Sequence, residues 1–288
     1  MKKLLVTGAS GFLGSRIVDF YKKKYEVYAP THTEMDITKE ESINDIFSKY
    51  KPDIVIHCAA ISDVGRCERE REKAWNINVN GSIHIAKASK KINAKCILCS
   101  SDQVYFGSLE KGAHKEDEEL QPFNLYGQGK LKAEEECQKV NKDCVLLRLS
   151  WMYDVKTVKE GEHSDFFKTL LLQLKGTDNM RFPIYDKRGI TDVNEVVQKL
   201  EKTFDITGGV YNFGSPNEKN TFDTVYAVFE KLGFNTDRLE KNEEAFQTNP
   251  RNISMCQQKI KECGITFSST EDGLLRNLGM IHHKKEEC

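Results

Sequence analysis

The sequence has no long hydrophobic run and no excess of charge of one sign. None of its apolar segments approaches the ~20 residues of a membrane-spanning helix. Lys+Arg number 43 and Asp+Glu 44, which gives a net charge of -1. We therefore expect neither a membrane nor a nucleic acid as partner. The N-terminal stretch KKLLVTG has too short an apolar region for a signal peptide, so we expect a cytoplasmic protein.

The pattern of cysteines also does not predict a disulfide framework. The nine cysteines are an odd number and are scattered along the chain, which fits a reducing compartment. Cys96 and Cys99 form a lone CxxC within AKCILCSS, a predicted buried strand in which residues three apart point to opposite faces. We interpret both as core residues. No compact cluster of histidine, cysteine or carboxylate predicts a metal site.

The sequence also lacks a Pro- or Gly-rich linker, an internal repeat and a low-complexity tract. Predicted strands alternate with predicted helices: the strands are KKLLVTG, YEVYAP, PDIVIHCAA, AKCILCSS and CVLLRLSW. This alternation predicts an α/β fold with a doubly wound parallel sheet of the Rossmann type. Beyond residue 152 the alternation weakens. We predict a dinucleotide-binding domain over 1–151 and a smaller, mixed, substrate-binding subdomain over 152–288, which could return strands or helices to the Rossmann sheet.

Two more local predictions concern the helices. In ITKEESINDIFSKY, Thr38 is placed as N-cap and Glu41 follows three residues later, which predicts a capping box. A long helical segment is predicted from about Cys67 to Lys90.

The first strand ends in TGASGFLG, with glycines spaced GxxGxxG. Glycine permits positive φ and lets backbone N–H groups approach a pyrophosphate at the start of the next helix. Its position at the first strand of a βαβ pattern predicts a dinucleotide site. The residues expected to bind this cofactor are Gly8, Ser10, Gly11, Phe12, Leu13 and Gly14.

The end of the second strand bears on the choice of cofactor. An acidic residue there would bind the ribose hydroxyls of NAD, and a basic one would accept the 2′-phosphate of NADP. The segment APTHTEMDIT has no acid immediately after the strand, whereas Thr31 and His32 could bind a phosphate. This favours NADP(H) slightly over NAD(H). Asp36 and Ile37 are placed to hold the adenine.

The stretch NLYGQGK places Tyr126 and Lys130 four residues apart, on one face of a predicted helix. A nearby ammonium favours the phenolate, so we expect Lys130 to lower the pKa of Tyr126 towards neutrality. Such a tyrosine exchanges a proton with a carbonyl or an alcohol. The glycines at 127 and 129 are expected to leave room for a ribose and a nicotinamide. Ser101, at the end of the fourth strand, is placed to donate a hydrogen bond to the same oxygen.

Together these motifs resemble the extended short-chain dehydrogenases/reductases. Within that superfamily the chain is most similar to the dTDP-4-dehydrorhamnose reductases and their relatives. The resemblance runs from Lys3 to about Tyr153 and continues to Lys259. Its markers are TGASGFLG, MDIT, PDIVIHCAA, NVNGS, SSDQVYF, NLYGQGK and RLSWMY.

The resemblance implies a catalytic trio of Ser101, Tyr126 and Lys130. In this interpretation Tyr126 protonates the C4 oxygen of a 4-keto-6-deoxy sugar as hydride arrives from NADPH or NADH. Lys130 holds the nicotinamide ribose. Asn78 matches a structural asparagine in the helix that supports the fourth strand. The cofactor-binding residues that the resemblance adds are Cys58, Ala59, Ala60, Asn78, Tyr126 and Lys130.

The resemblance also implies a nucleotide sugar as the partner and a homodimer as a possible assembly. Trp151 matches a tryptophan that packs on the sugar, although a residue that fills the subdomain junction would look the same. Arg188 matches a basic residue that approaches the nucleotide diphosphate. The complete set of substrate-binding residues is Ser62, Asp102, Gln103, Trp151 and Arg188.

Three functional classes are consistent with these motifs. The first is a reductase that uses NAD(P)H. The second is an epimerase or dehydratase of nucleotide sugars with bound NAD; Asp102 fits a dehydratase, but Gln103 follows it. The third is a non-catalytic binding protein, because a relative of this branch is the regulatory subunit of methionine adenosyltransferase. The intact Ser101, Tyr126 and Lys130 favour catalysis.

Overall fold

The computed structural model describes residues 1–155 and 165–286, with side chains up to residue 281. The strands are β1 (Lys3–Thr7), β2 (Glu26–Tyr28), β3 (Ile54–His57), β4 (Lys95–Ser101), β5 (Val145–Leu149), β6 (Trp151–Tyr153), β7 (Met180–Pro183), β8 (Asp186–Lys187), β9 (Ile190–Asp192), β10 (Gly209–Phe213), β11 (Leu239–Asn242) and β12 (Arg251–Asn252). The helices are α1 (Phe12–Tyr21), α2 (Glu40–Tyr50), α3 (Val64–Arg69), α4 (Arg71–Trp75), α5 (Ser82–Lys91), α6 (Leu125–Val140), α7 (Phe166–Lys175), α8 (Val193–Leu200), α9 (Thr221–Leu232), α10 (Gln258–Glu262) and α11 (Thr270–Glu286). A π-helical turn (Asn76–Gly81) joins α4 to α5, and 3-10 turns cover Asp102–Tyr105 and Glu201–Phe204.

The chain divides into two compact units that exchange segments. Unit 1 comprises 1–106, 119–149 and 197–212, and unit 2 comprises 107–118, 150–196 and 213–288. Segment 197–212 belongs to unit 1 although it follows residue 152 in the chain. The role of the second unit in binding substrate stays a prediction.

Unit 1 is built on a six-stranded sheet in the order β10-β5-β4-β3-β1-β2. Strands β1 to β5 pair in parallel, with Leu4 opposite Ile54 and Ile97 opposite Val145. The predicted doubly wound parallel α/β fold is confirmed. Strands β3 and β5 are buried along their whole length, as expected of strands covered on both faces.

One face of this sheet packs against α2 and α5. Leu5, Val55, Leu98 and Leu146 form a cluster with apolar side chains from those helices, including Phe47. Each such side chain contributes roughly 1.5–3 kcal/mol when it is fully buried. The core therefore fixes the strands whose carboxyl ends carry the predicted site.

One of the two predicted helical features is wrong. The helical segment expected from about 67 to 90 is present: it is interrupted at Glu70, between α3 and α4, and includes a π-helical turn between α4 and α5. The capping box is not formed. Helix α2 has Lys39 as N-cap, without a capping side chain. The hydroxyl and the backbone N–H of Thr38 both donate to Oδ1 of Asp36, at 2.7 and 3.0 Å, so this threonine closes a turn before the helix.

The described residues of unit 2 form three two-stranded parallel pairs, β6 with β9, β7 with β11 and β8 with β12. An aromatic core from β6, α7 and α9 includes Tyr153 stacked on Phe167, with ring centroids 5.1 Å apart. Arg251 of β12 donates two hydrogen bonds of 2.8 Å to the carboxylate of Asp186 in β8. Among the described residues, no helix is long and apolar enough to cross a bilayer.

Candidate active site

The glycine turn between β1 and α1 leaves space for a ligand at the start of that helix. Gly8 has φ +66°, and a Cβ on it would lie 2.6 Å from the backbone nitrogen of Ala59. The N–H of Gly11 donates to the carbonyl of Gly8 at 3.0 Å. Gly11 is the N-cap of α1 and places no capping side chain over the helix start. This end of the helix fits the pyrophosphate of a dinucleotide.

The residues predicted for this turn divide into two groups. Ser10 and Gly11 are exposed and Gly8 and Phe12 half-buried, so these four lie at the surface of the turn. Leu13 and Gly14 are buried, and a Cβ on Gly14 would collide with the carbonyl of Gly8. The third glycine therefore serves the close packing of helix and turn.

An acidic residue that sequence reasoning missed lies beside Thr31. The Glu34 carboxylate accepts hydrogen bonds from the backbone N–H and the hydroxyl of Thr31, at 2.8 and 2.9 Å. The bond from the Thr31 backbone is the main cause that lowers the pKa of Glu34. His32 is exposed in the same loop. Glu34 was overlooked because it follows β2 by six residues, and only the folded loop brings it back to Thr31.

Asp36 and Ile37 lie before α2. The hydrogen bond from the Thr38 hydroxyl is the main cause that lowers the pKa of Asp36. Ile37 packs against Gly81 of the π-helical turn: a Cβ on Gly81 would lie 2.9 Å from Cδ1 of Ile37. Both residues are half-buried, and their role towards an adenine stays a prediction.

A chain of buried hydrogen bonds runs beneath the carboxyl ends of β1 and β3. The Thr7 hydroxyl lies 2.7 Å from Nδ1 of His57, and Nε2 of His57 lies 3.2 Å from the Ser82 hydroxyl. Ser82 in turn donates to the carbonyl of Asn78 at 2.8 Å. Burial, with a smaller contribution from the charge of Lys130, lowers the pKa of His57 to about 3. The imidazole is therefore neutral at physiological pH.

Asn78 lies in the π-helical turn and holds the loop that follows the third strand. Its side-chain amide accepts from the N–H of Ile61 at 2.8 Å and donates to the carbonyl of Ile61 at 2.9 Å. Ile61 follows β3, so these two bonds tie Asn78 to the loop after the third strand. That loop contains Cys58, Ala59 and Ala60, which are all half-buried.

The predicted trio Ser101, Tyr126 and Lys130 meets at the carboxyl end of β4. Helix α6 begins at Leu125 because the N-cap Asn124 accepts a hydrogen bond of 2.7 Å from the N–H of Gly127. Nζ of Lys130 lies 5.8 Å from the ring centroid of Tyr126 and donates to the Cys99 carbonyl at 2.7 Å. The Ser101 hydroxyl donates to Oδ1 of Asp102 at 3.2 Å, and the Ser101 side chain also acts to lower the pKa of Tyr126. All three side chains are buried.

Two expectations about this helix are wrong. Burial raises the pKa of Tyr126, a hydrogen bond with Ser101 partly opposes it, and Lys130 makes no leading contribution. Burial also lowers the pKa of Lys130 itself. A Cβ on Gly127 would collide with the carbonyl of Gln103, so this glycine makes room for the protein backbone and not for a ribose. At Gly129 a Cβ would make only ordinary contact with Val79.

The predicted substrate-binding residues fall in both units. In unit 1, Ser62 is exposed, whereas Asp102 and Gln103 are buried in the 3-10 turn after β4. In unit 2, the guanidinium of Arg188 lies 4.7 Å from the ring centroid of Trp151, a cation–π contact. Trp151 also meets Phe166 edge to face at 5.5 Å and remains 38% exposed.

Comparison with known protein families shows the family to which this chain belongs. The family described as "RmlD substrate binding domain" matches residues 1–276. The chain belongs to this family. The resemblance to extended short-chain dehydrogenases/reductases and to the dTDP-4-dehydrorhamnose reductases is thereby confirmed.

Three relatives illustrate the range of the family. The spore coat polysaccharide biosynthesis protein SpsK of Bacillus subtilis is 31% identical over 272 residues, 92% of this chain and 93% of that protein. The dTDP-4-dehydrorhamnose reductase of Mycolicibacterium smegmatis is 30% identical over 243 residues, 83% of this chain and 72% of that protein. The methionine adenosyltransferase 2 subunit beta of Xenopus laevis is 25% identical over 280 residues, 92% of this chain and 83% of that protein.

A solved structure supports the fold of this family member. The dTDP-4-dehydrorhamnose reductase of Bacillus anthracis, solved in complex with NADP, superposes with a TM-score of 0.83 and 23% sequence identity. The superposition covers 96% of this chain and 99% of that chain.

A buried ion pair behind the trio also escaped sequence reasoning. Glu134 lies one turn beyond Lys130 on α6, and Arg148 of β5 donates to its carboxylate at 2.7 Å. Each of these two side chains is 3% exposed. Ser100 donates to the same carboxylate, and Arg148 also donates to the Tyr105 hydroxyl at 2.7 Å. No local spacing in the sequence signals this pair, because Glu134 and Arg148 lie on different elements.

A surface cleft of about 1010 Å³ lies elsewhere in unit 1 and contains none of the predicted site residues. Its lining residues are Arg69, Glu70, Arg71, Glu72, Lys73, Trp75, Asn76 and Asn80. Within the described parts of the chain, no group of three or more His, Cys, Asp and Glu side chains could hold a metal ion.

Proposed function

We propose that the protein is a reductase of a nucleotide-activated 4-keto-6-deoxy sugar that uses NADPH or NADH. The observation that carries this proposal is the meeting of Ser101, Tyr126 and Lys130 at the carboxyl end of β4. Open α/β sheets bind their ligands at this edge. The names of the relatives that are reductases support an NAD(P)-dependent oxidoreductase that acts on a sugar carbonyl.

Because the glycine turn fits the pyrophosphate of a dinucleotide, roles in cofactor binding and catalysis can be proposed for the residues around it. Gly8, Ser10 and Gly11 would hold the pyrophosphate, and Lys130 the nicotinamide ribose. The cofactor, when bound, supplies the hydride. Tyr126 then donates its phenolic proton to the sugar oxygen, and Ser101 donates a hydrogen bond to the same oxygen. Tyr126 begins in its neutral form, as a proton donor must, and the burial that raises its pKa makes it a weaker acid in the absence of ligands.

For the substrate, we propose that Trp151 packs on the sugar and that Arg188 approaches the diphosphate. The cation–π contact at 4.7 Å already brings these two side chains together in unit 2. Asp102 and Gln103 adjoin Ser101 in sequence, so they are proposed to line the sugar beside the trio. Ser62 is proposed as the exposed contact in the loop after β3.

For the cofactor, we propose a slight preference for NADP(H) through Thr31 and His32. Thr31 and Thr33 are exposed and their hydroxyls lie 3.0 Å apart, so both would donate to a 2′-phosphate once the Thr31 hydroxyl leaves the Glu34 carboxylate, to which it donates in this structure. The carboxylate of Glu34 reduces the preference, because it places a negative charge beside the same loop.

A second candidate is a non-catalytic regulatory subunit. The observation that favours it is the similarity to methionine adenosyltransferase 2 subunit beta across 92% of this chain. A protein without catalytic activity would not need a tyrosine, a lysine and a serine close together at the end of one strand. The reductase therefore remains our proposal. An epimerase would hold its cofactor permanently and return the hydride to the substrate.

The experiment follows nicotinamide absorbance over time with purified protein, either cofactor and dTDP-4-keto-6-deoxy-L-mannose. Oxidation that depends on the sugar is the expected result, and the initial rates rank NADPH and NADH. Tight cofactor binding without oxidation would instead indicate another nucleotide sugar or the epimerase. Absence of cofactor binding would favour the regulatory subunit.

A further inference from the structure

Cys58 and Cys99, two half-buried residues, lie next to each other near the carboxyl ends of β3 and β4. His57 pairs with Leu98 in the parallel ladder, so the next residues, Cys58 and Cys99, are also neighbours across the two strands. Their sulfur atoms lie 3.5 Å apart. Sequence reasoning assigned Cys99 to the core, and neither sulfur has a part in the proposed reduction.

The surroundings of this pair favour a reactive thiolate on one of the two residues. The ammonium of Lys130 donates to the backbone carbonyl of Cys99 at 2.7 Å, and its charge is a smaller contribution that lowers the pKa of both cysteines. The thiol of Cys58 hydrogen-bonds to Cys99, and this bond is the main cause that lowers the pKa of Cys99 and raises that of Cys58. Cysteines beside a lysine are the ones that react with oxidants.

A second pair of cysteines provides an internal comparison. Cys96 and Cys144 are also neighbours, across β4 and β5, and interact through their thiols. They are 1% and 0% exposed, so neither solvent nor an oxidant reaches them easily. Cys58 and Cys99 are only half-buried.

We propose that Cys58 and Cys99 form a reversible disulfide when the protein meets a peroxide, and that this bond weakens dinucleotide binding. The Cys99 thiolate attacks one peroxide oxygen, the O–O bond breaks, and hydroxide leaves. Cys58 then attacks the resulting sulfenic sulfur, the S–S bond forms, and water leaves. The two thiols lose two electrons in total, and hydrogen peroxide is reduced to two waters.

The expected effect on binding follows from the position of Cys58. A disulfide requires the two sulfurs to approach to about 2.05 Å, which draws Cys58 towards β4. The next residue, Ala59, already lies so close to Gly8 that a Cβ there would be 2.6 Å from its nitrogen. A shift of this loop therefore changes the glycine turn. This effect rests on the proposed function, whereas formation of the bond does not.

The test treats the reduced protein with hydrogen peroxide, blocks the remaining thiols and identifies linked peptides by mass spectrometry. We expect a loss of about 2 Da and a peptide pair joined through Cys58 and Cys99. The Kd for the preferred cofactor should rise by about tenfold or more, and a dithiol should restore it. Cys99→Ser should keep its cofactor affinity after peroxide, and Cys96→Ser should respond like the unmodified protein.

Each part of this proposal can fail separately. If peroxide joins no Cys58–Cys99 pair, or joins only Cys96 to Cys144, the proposal is wrong. If the bond forms and cofactor affinity stays the same, its regulatory part is wrong. If the reduced protein binds neither NADPH nor NADH, the proposed function has failed, and the peptide masses alone still decide whether the disulfide site exists.

Discussion

Lys130 is the residue that contacts most parts of the candidate site. It is 5% exposed, and its hydrogen bond to the Cys99 carbonyl holds it beside the ring of Tyr126. Burial lowers its pKa, and the charges of the two cysteines and Glu134 oppose that shift. The lysine therefore links the strand end, the thiol pair and the proposed proton donor.

Lys130→Met should damage both cofactor binding and turnover, because it removes the charge proposed to hold the ribose. We expect turnover to fall by about 10²-fold or more. Lys132→Met is the matched control, because Lys132 lies on the same helix, is 43% exposed and pairs only with surface carboxylates. Equal losses in the two variants would contradict this role.

His57 should make the protein sensitive to acid. Its pKa is about 3 in the folded protein and 6.5 in the reference state, so between these values only the unfolded chain takes up the proton. The free energy of unfolding should therefore fall as the pH drops through this window, by up to about 1.4 kcal/mol for each pH unit.

Urea unfolding of wild type and His57→Gln at several pH values checks this prediction. The carboxylates contribute to the pH dependence of both proteins, so the difference between the two slopes isolates the histidine. Parallel curves between pH 6.5 and 4 would show that His57 does not carry the effect.

At the scale of elements, α6 is fixed to the sheet by the ion pair of Glu134 and Arg148. Breaking a buried pair by removing one charge leaves the other uncompensated and costs about 3–5 kcal/mol. Glu134→Gln should lower stability by an amount of this order, measured by urea unfolding. Because α6 also carries Tyr126 and Lys130, turnover should fall as well.

The double variant Glu134→Leu with Arg148→Met is the control for this pair. With both charges replaced by apolar groups, much of the lost stability should return. If the double variant were less stable than Glu134→Gln, the uncompensated charge would not be the cause of the loss.

The loop after β2 should set the cofactor preference. Glu34→Gln removes the negative charge beside Thr31 and should raise the preference for NADPH over NADH by about two- to fivefold, the range of an exposed charge pair. The ratio of kcat/KM values for the two cofactors measures this change. Glu41→Gln, an exposed position on α2, should leave the ratio unaltered. An unchanged ratio of kcat/KM values in Glu34→Gln would show that Glu34 does not contribute to the choice of cofactor.

At the scale of the whole molecule, the features that could be predicted from the sequence are those that depend on the spacing of neighbouring residues. Buried apolar runs such as Ile54–His57 predicted parallel strands, and the spacing of Tyr126 and Lys130 predicted a shared helix face. Features that depend on distant segments were missed. Glu34 returns to Thr31 only in the folded loop, and Arg148 reaches Glu134 from another element. Burial also reversed the expected pKa shift of Tyr126, because desolvation depends on the finished fold.

The most direct test of the proposed chemistry compares Tyr126→Phe with wild type. Tyr226→Phe on α9, 39% exposed, is the control. The measurement is sugar-dependent cofactor oxidation, with cofactor affinity determined on the same samples. We predict that Tyr126→Phe binds the cofactor nearly normally and loses turnover by about 10²-fold or more. Turnover close to that of wild type would show that Tyr126 is not the proton donor.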